Sequence, residues 1–229
     1  MDPSEVSENI YLVGSSDITD PRDCAVYLID LGELILVDAG AGPSASQIAR
    51  NIERVGQDPS KLSTVIITHC HVDHSGGARL FQKRFGAQIV MHEQDAKAVE
   101  DGNTVMSAAQ WYNLHFEPTP VNVKLWGQEQ ALTFGAHSIV CLHTPGHTPG
   151  SISLYLDLGG KRFLFGQDIH GPFHQDFDSD LVAWRRSMQR LLALEADVLC
   201  EGHFGVYKPK ERVAAYIEHY LETYAENSP

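Results

Sequence analysis

Between residues 68 and 77 the chain reads Thr68-His69-Cys70-His71-Val72-Asp73-His74-Ser75-Gly76-Gly77, so four side chains able to bind a metal fall within six positions. Neutral imidazole nitrogen and carboxylate oxygen are donors that suit zinc, iron and manganese. His69 and His71 lie two apart, and in extended backbone such side chains point the same way. Asp73 and His74 fall on the turn into a following helix, from which they can face a second ion. Cys70 alternates away from its neighbours and is not expected among the ligands. Gly76 and Gly77 let the backbone bend closely around such a site. One histidine after a strand is ordinarily a solvated or packed polar residue. Four donors at this density point instead to a metal.

Chemistry-bearing residues recur at four other places. Val37-Asp38-Ala39-Gly40 puts a carboxylate at the end of an apolar run. Thr144-Pro145-Gly146-His147-Thr148-Pro149-Gly150-Ser151 presents a histidine on a Pro-Gly turn, with His143, at the end of the preceding run, competing for the same role. Phe165-Gly166-Gln167-Asp168 and Glu201-Gly202-His203 add an aspartate and a histidine. There is no G-x-S-x-G, hence no sign of a strained nucleophilic serine.

Strands that end where these motifs begin would position them. Ile10–Val13, Ala25–Ile29 and Leu34–Val37 read as strands, with Asp30-Leu31-Gly32-Glu33 as a turn. Ser44 and Gln47 form a capping-box pattern for a helix from Ala45, whose apolar stripe is Ile48, Ile52 and Val55. Thr64–Ile67 is a β-branched run suited to a strand buried on both faces. A helix near Ala78–Phe85, a strand at Gln88–Met91 and a helix near Gln94–Glu100 follow. Val121–Leu125, Ser138–Leu142, Ile152–Leu156, Arg162–Phe165 and Val198–Cys200 are further strands. Leu181–Leu194 and Arg212–Tyr224 are helices. Strands before helices, twice over, suggest two stacked sheets with helices outside. Residues 103–120, with Met106, Trp111, Tyr112, His115 and Phe116, fit no element: a packed loop is the first reading and a lid over a site the second.

The 229 residues suit one domain, taken as 1–229, and a 43% hydrophobic share supports a sizeable core. A formal charge of −13 repels phosphate backbones, and the densest basic run, Lys208-Pro209-Lys210-Glu211-Arg212, is short and interrupted. No nucleic-acid partner is therefore expected. No stretch approaches the ~18 apolar residues of a membrane span, so no membrane partner is expected either. Met1-Asp2-Pro3-Ser4-Glu5 lacks the basic start and apolar run of a secretory signal, and a cytoplasmic location is the expectation. Cys24, Cys70, Cys141 and Cys200 form no C-x-x-C pair; Cys141 and Cys200 sit in apolar runs as buried thiols. Nothing in the sequence sets an oligomeric state.

Taken together, the five motifs resemble in kind and order those of the metallo-β-lactamase superfamily, from Asp38 to His203. The resemblance implies an α/β fold, an αββα four-layer sandwich with the site at one edge of two sheets. It implies that His69, His71 and His147 hold one ion, that Asp73, His74 and His203 hold the other, and that Asp168 bridges them. Asp38 would orient a ligand imidazole through its free N–H. The expected cofactor is two divalent metal ions, Zn2+ foremost, with Fe or Mn as alternatives. Ions about 3.5–4 Å apart share a water and lower its pKa toward about 7. A bridging hydroxide would then attack a small-molecule substrate, and Asp73 would also orient it or relay a proton.

The same resemblance narrows the branch. β-Lactamases of the best-known type carry cysteine in place of Asp168 and lack His74, so this chain looks more like glyoxalase II, lactonases and RNase Z. Its acidity, and the lack of a tRNA-binding insertion, argue against the last. Glyoxalase II has Lys and Tyr soon after the bridging aspartate and Tyr after the final histidine, for glutathione. Here Ile169-His170-Gly171-Pro172-Phe173-His174 and Phe204-Gly205 stand there. His170 and His174 read first as exposed loop polars incidental to the site, with contact to the substrate as the second reading. A hydrolase of a small ester, thioester or lactone is the expectation. One alternative is a single-iron oxidoreductase like persulfide dioxygenases, whose Gly-Cys-Gly-Arg run is missing. Others are a glutathione-thioester hydrolase of the glyoxalase II type and a non-catalytic binding module.

Overall fold

Alternate residues of the central strands face two different cores. Val26 and Leu28 pack with Ile48, Ile52 and Phe81, whereas Tyr27 and Ile29 pack with Leu154, Phe163 and Phe165. Successive strand side chains point to opposite faces, so a strand apolar throughout must be covered on both. The computed structural model describes residues 1–225.

Seven strands form the first sheet in chain order: β1 (Ser4–Ser7), β2 (Ile10–Gly14), β3 (Val26–Asp30), β4 (Leu34–Val37), β5 (Leu62–Ile66), β6 (Gln88–His92) and β7 (Val123–Leu125). β1 to β4 pair antiparallel, and β4 to β7 run parallel. The second sheet contains β8 (Glu129–Phe134), β9 (His137–His143), β10 (Ile152–Leu158), β11 (Lys161–Gln167), β12 (Val198–Glu201) and β13 (Val206–Tyr207), in the order β13-β12-β11-β10-β9-β8. Only β11 and β12 are parallel there.

The helices are α1 (Ala45–Arg54), α2 (Val72–Ser75), α3 (Ala78–Phe85), α4 (Glu93–Asp101), α5 (Ala109–Tyr112), α6 (Leu181–Leu192) and α7 (Lys210–Thr223). One core lies between the sheets, where Val37, Ile66 and Val90 meet Ile152, Leu154 and Phe165. A second lies under α1, α3 and α4. In the third, Trp184 and Met188 of α6 and Ile217 of α7 cover Leu142, Leu164 and Leu199. The layering is αββα. Asp38, the His69–His74 turn, Asp168 and His203 all follow the carboxyl ends of parallel strands, where open α/β sheets bind ligands.

Three strands and two short helices go beyond the sequence reading: β1, β8, β13, α2 and α5. β8 is an edge strand paired with β9 alone, and its Glu-Gln-Ala-Leu-Thr-Phe sequence buries fully only Phe134. Such a strand carries little apolar alternation to read. The capping box at Ser44 is not formed, which corrects the sequence reading. Ser44 Oγ donates instead to Asp23 Oδ1 at 2.8 Å, and Gln47 Nε2 reaches Ile18 O. Asp23 is buried and also accepts from Ala41 N at 2.8 Å, and a polar group taken from water needs those partners more than a helix end does. All four cysteines are free and buried. Among the described residues no helix is long and apolar enough to cross a membrane.

Candidate metal centre

Two groups of donor atoms meet at the strand ends. His69, His71, His147 and Asp168 are buried, with donor atoms within 4.8 Å of one another. His71 Nδ1 lies 3.0 Å from His147 Nε2, and Asp168 Oδ2 lies 3.4 Å from His147 Nε2 and 3.9 Å from His69 Nε2. Asp73, His74 and His203 form the second group. Asp73 Oδ2 is 3.6 Å from His74 Nε2 and 3.4 Å from His203 Nε2. The other oxygen of Asp168, Oδ1, faces this group at 3.1 Å from His74 Nε2 and 3.3 Å from His203 Nε2. One carboxylate thus divides its oxygens between two triads.

Surrounding polar groups hold these rings in place. His74 Nδ1 donates to Asp38 Oδ2 at 2.8 Å, and Asp38 Oδ1 accepts from Thr68 N at 2.8 Å. His147 Nδ1 donates to Pro172 O at 2.8 Å, which leaves Nε2 aimed at the other donors. Asp95, on α4 and fully buried, accepts from Cys70 N (2.9 Å), Thr148 Oγ1 (2.7 Å) and Gly150 N (2.7 Å). It ties the His69–His74 turn to the His147 turn. Glu201, also buried, accepts from His203 N (2.6 Å), Phe204 N (2.7 Å) and His170 Nδ1 (2.9 Å). Sequence reasoning missed both roles. Glu201 left a faint signal, a carboxylate continuing the apolar Val198-Leu199-Cys200 run; Asp95 resembles any acidic residue of a helix.

Backbone geometry is constrained at the same places. Asp38 and Gln167 have φ of 64° and 48°, left-handed values uncommon outside glycine. Gly146, at φ 142°, lies so close to α6 that a Cβ there would come 2.4 Å from Trp184 Cα. Only glycine lets the Pro-Gly turn bring His147 to its neighbours.

Charge and burial fit divalent cations. Burial pushes His69 and His71 well below the ordinary imidazole range, and His147 down to about 4. All three are therefore neutral, the form that coordinates metal. In the second triad burial opposes charge on His203, yet Asp168 and Asp73 hold it up at about 9. Burial opposes charge on His74 too, but the carboxylates of Asp168, Asp38 and Asp73 outweigh it and raise the ring well above the ordinary imidazole range. Anionic groups are calling for positive charge here. Buried His69 Nε2 has no hydrogen-bond partner, although buried polar atoms rarely lack one. A nitrogen lone pair directed at neighbouring donors is what a metal ion takes up. The donor set, imidazole with carboxylate, suits zinc, iron or manganese.

A cleft of about 310 Å³ opens over the two triads, walled by Trp111, Tyr112, Phe177, His170 and Phe204. Residues 103–120 are in part a packed loop, since Phe116 is buried and Met106 and Leu114 lean on the core. Its α5 turn nevertheless supplies Trp111 and Tyr112 to the cleft, and Tyr112 Oη donates to Asp73 Oδ2 at 3.4 Å. His170 is not the exposed polar expected from its loop. Its side chain is 15% exposed and is oriented by Glu201. His174 is more open and lies edge-on to Trp111, with ring centroids 5.1 Å apart. His143 stays out of both triads; it stacks on His92 at 3.9 Å and donates from Nε2 to Pro149 O. Cys70 packs in the core beneath α1 and α3. Cys24, which the sequence reading passed over, lies beside Asp38 and His74, and burial keeps its thiol protonated.

Comparison with known proteins identifies the family. A family model described as the metallo-beta-lactamase superfamily matches residues 19–203. A beta-lactamase-like protein 2 homolog from Drosophila melanogaster is 26% identical over 195 residues, covering 84% of this chain and 63% of the fly protein. The chain thus spans under two thirds of that relative's length. The hydroxyacylglutathione hydrolase GloC of Haemophilus influenzae is 26% identical over 194 residues, 81% of this chain and 86% of its own. A solved metallo-beta-lactamase structure from Cronobacter sakazakii superposes with a TM-score of 0.85 at 22% identity, covering 99% of this chain and 94% of that one. At that identity the likeness speaks for the fold alone.

Proposed function

The chain belongs to the metallo-beta-lactamase superfamily, and from that premise we propose a metal-dependent hydrolase of small esters, thioesters or lactones with a two-ion centre. The observation that carries this reading is the split carboxylate of Asp168, which faces His147 with one oxygen and His74 with the other. His69, His71 and His147 would hold one ion, Asp73, His74 and His203 the other, and Asp168 both. When bound, such ions supply Lewis acidity and a water acidified toward neutral pH. Zinc is the first choice, with iron and manganese as alternatives.

The chain's own residues supply the rest. Asp38 fixes the ring of His74 through Nδ1, as carboxylates do for ligating imidazoles. Asp73 would orient a water or relay a proton. The Tyr112 hydroxyl, within reach of Asp73, is a donor for a substrate carbonyl oxygen. Trp111 and Phe177 supply apolar wall to the cleft. The second triad argues against the single-iron reading, since three further donors stand assembled beside the first group.

Within the superfamily we place the chain nearer the glyoxalase II and lactonase branch, acting as one domain in the cytoplasm but not specialised for glutathione. GloC carries glutathione in its name, but no lysine or arginine lines this cleft. The test is elemental analysis of the purified protein, followed by turnover of esters, thioesters, lactones and S-lactoylglutathione at equal metal loading. Two equivalents of metal, with chelation abolishing hydrolysis and metal restoring it, is the expected result. Metal-independent hydrolysis, or oxygen uptake without hydrolysis, would overturn the reading. A preference above about a hundredfold for the glutathione thioester, roughly 2.7 kcal/mol in transition-state binding, would overturn the glutathione clause alone.

A further inference from the structure

We infer that the cleft selects a substrate with an uncharged, apolar alkyl or aryl group, seated against Trp111 and Phe204; this rests on the hydrolase reading above. Both rings line the cleft, yet Trp111 is 50% and Phe204 57% exposed, in a chain that buries most large hydrophobic side chains. Exposed aromatic surface grouped in a concave site gains by being covered.

Neither ring is a loose surface residue. Trp111 packs against Phe177 with centroids 4.7 Å apart and meets His174 edge-on. The α5 turn that carries it is bracketed by Ala108 at φ 57° and Asn113 at φ 52°. Ala108 is buried, and a left-handed alanine persists only where its surroundings over-determine it. Phe204 is pinned by its main-chain N–H, which donates to Glu201 Oε2 at 2.7 Å, and its ring meets that of His170 at 4.7 Å. Two preset aromatic faces therefore border one opening.

Charge sets the second half of the selection. Away from the metal-holding groups, the lining includes no lysine or arginine. A carboxylate at the far end of the chain would lie against Trp111 and Phe204 and lose its hydration there with no lysine or arginine to pair with. An uncharged chain meets only aromatic surface.

Three substrate comparisons and one binding measurement on the metal-loaded protein test this. 4-Nitrophenyl octanoate against the acetate places the chain on the acyl side, and octyl acetate against ethyl acetate places it on the alcohol side. The 4-nitrophenyl monoester of suberic acid adds a terminal carboxylate at equal length. On one side at least, kcat/KM should rise about tenfold or more with the longer chain, well under what full burial of six methylenes would give. The carboxylate should lower it about tenfold. Trp111→Ala and Phe204→Ala should each cut the long-to-short ratio below about threefold. Octanamide, which is not turned over as an ester, should quench tryptophan fluorescence where acetamide does not, and Trp111→Phe should remove that response. Ester hydrolysis with ratios near one on both sides, or with the carboxylate preferred, would overturn the inference and leave the hydrolase reading standing. Failure to hydrolyse any ester, thioester or lactone would defeat the hydrolase reading, and the octanamide response would then decide the apolar site: its absence overturns it.

Discussion

Asp38 Oδ2 lies 2.8 Å from His74 Nδ1, and the aspartate reaches it from a left-handed backbone at φ 64°. The contact turns His74 so that Nε2 faces Asp73, His203 and Asp168. Removing such a support typically costs 10–100-fold in metal affinity or activity. Asp38→Ala should weaken one of two bound metals by about that factor while leaving the other nearly unchanged. Competition against a chromophoric chelator would measure it. Equal weakening of both ions, or of neither, would contradict the link between Asp38 and the second triad.

Loss of Asp168 takes a donor from both triads at once. Asp168→Ala should abolish hydrolysis, by well over about 100-fold, because even a ~1 Å displacement at a reacting centre can cost that much. Far-ultraviolet circular dichroism should stay close to wild type, since Asp168 packs among imidazoles rather than in any apolar core. Wild-type turnover in this folded variant would sink the bridging assignment.

Metal uptake should release protons. In the metal-free protein His203 is held up at about 9, so it is protonated at pH 7, whereas His147 at about 4 is already neutral. A ligating imidazole must be neutral. Binding at the second triad should therefore expel its proton below about pH 9, and binding at the first should expel none from His147. Calorimetric titration at pH 7 in buffers of different ionisation enthalpy reads this directly. At least one proton should leave with the ion bound by His203, falling toward zero above pH 9. Proton-neutral binding of both ions would refute the electrostatic account.

Tyr112 offers a donor 3.4 Å from Asp73 Oδ2, at the long edge of a hydrogen bond and so open to a better acceptor. Removing one such donor to a developing oxyanion costs up to about 100–1000-fold in kcat. Tyr112→Phe should lower kcat by about tenfold or more, with KM changed far less and metal content kept at two. A change confined to KM would make Tyr112 a wall of the cleft and nothing more.

Much of this protein was legible from its sequence. Donors crowded at His69, His71, Asp73 and His74 announce a metal because their spacing is local, and local geometry follows from backbone type. The central strands could be placed because Val26–Ile29 and Leu34–Val37 are apolar on both faces. Asp38, His147, Asp168 and His203 took their places only through resemblance to a family, since no spacing rule joins residues so far apart. Tertiary structure alone decided what lies between the motifs. Asp95 binds Cys70, Thr148 and Gly150, which are 25, 53 and 55 positions away, and a side chain's partners across such distances depend on how the sheets stack. The same stacking buries His170 against Glu201 and draws Ser44 to Asp23. It also stands Trp111 and Phe204 at one opening, two aromatics that the sequence holds 93 positions apart.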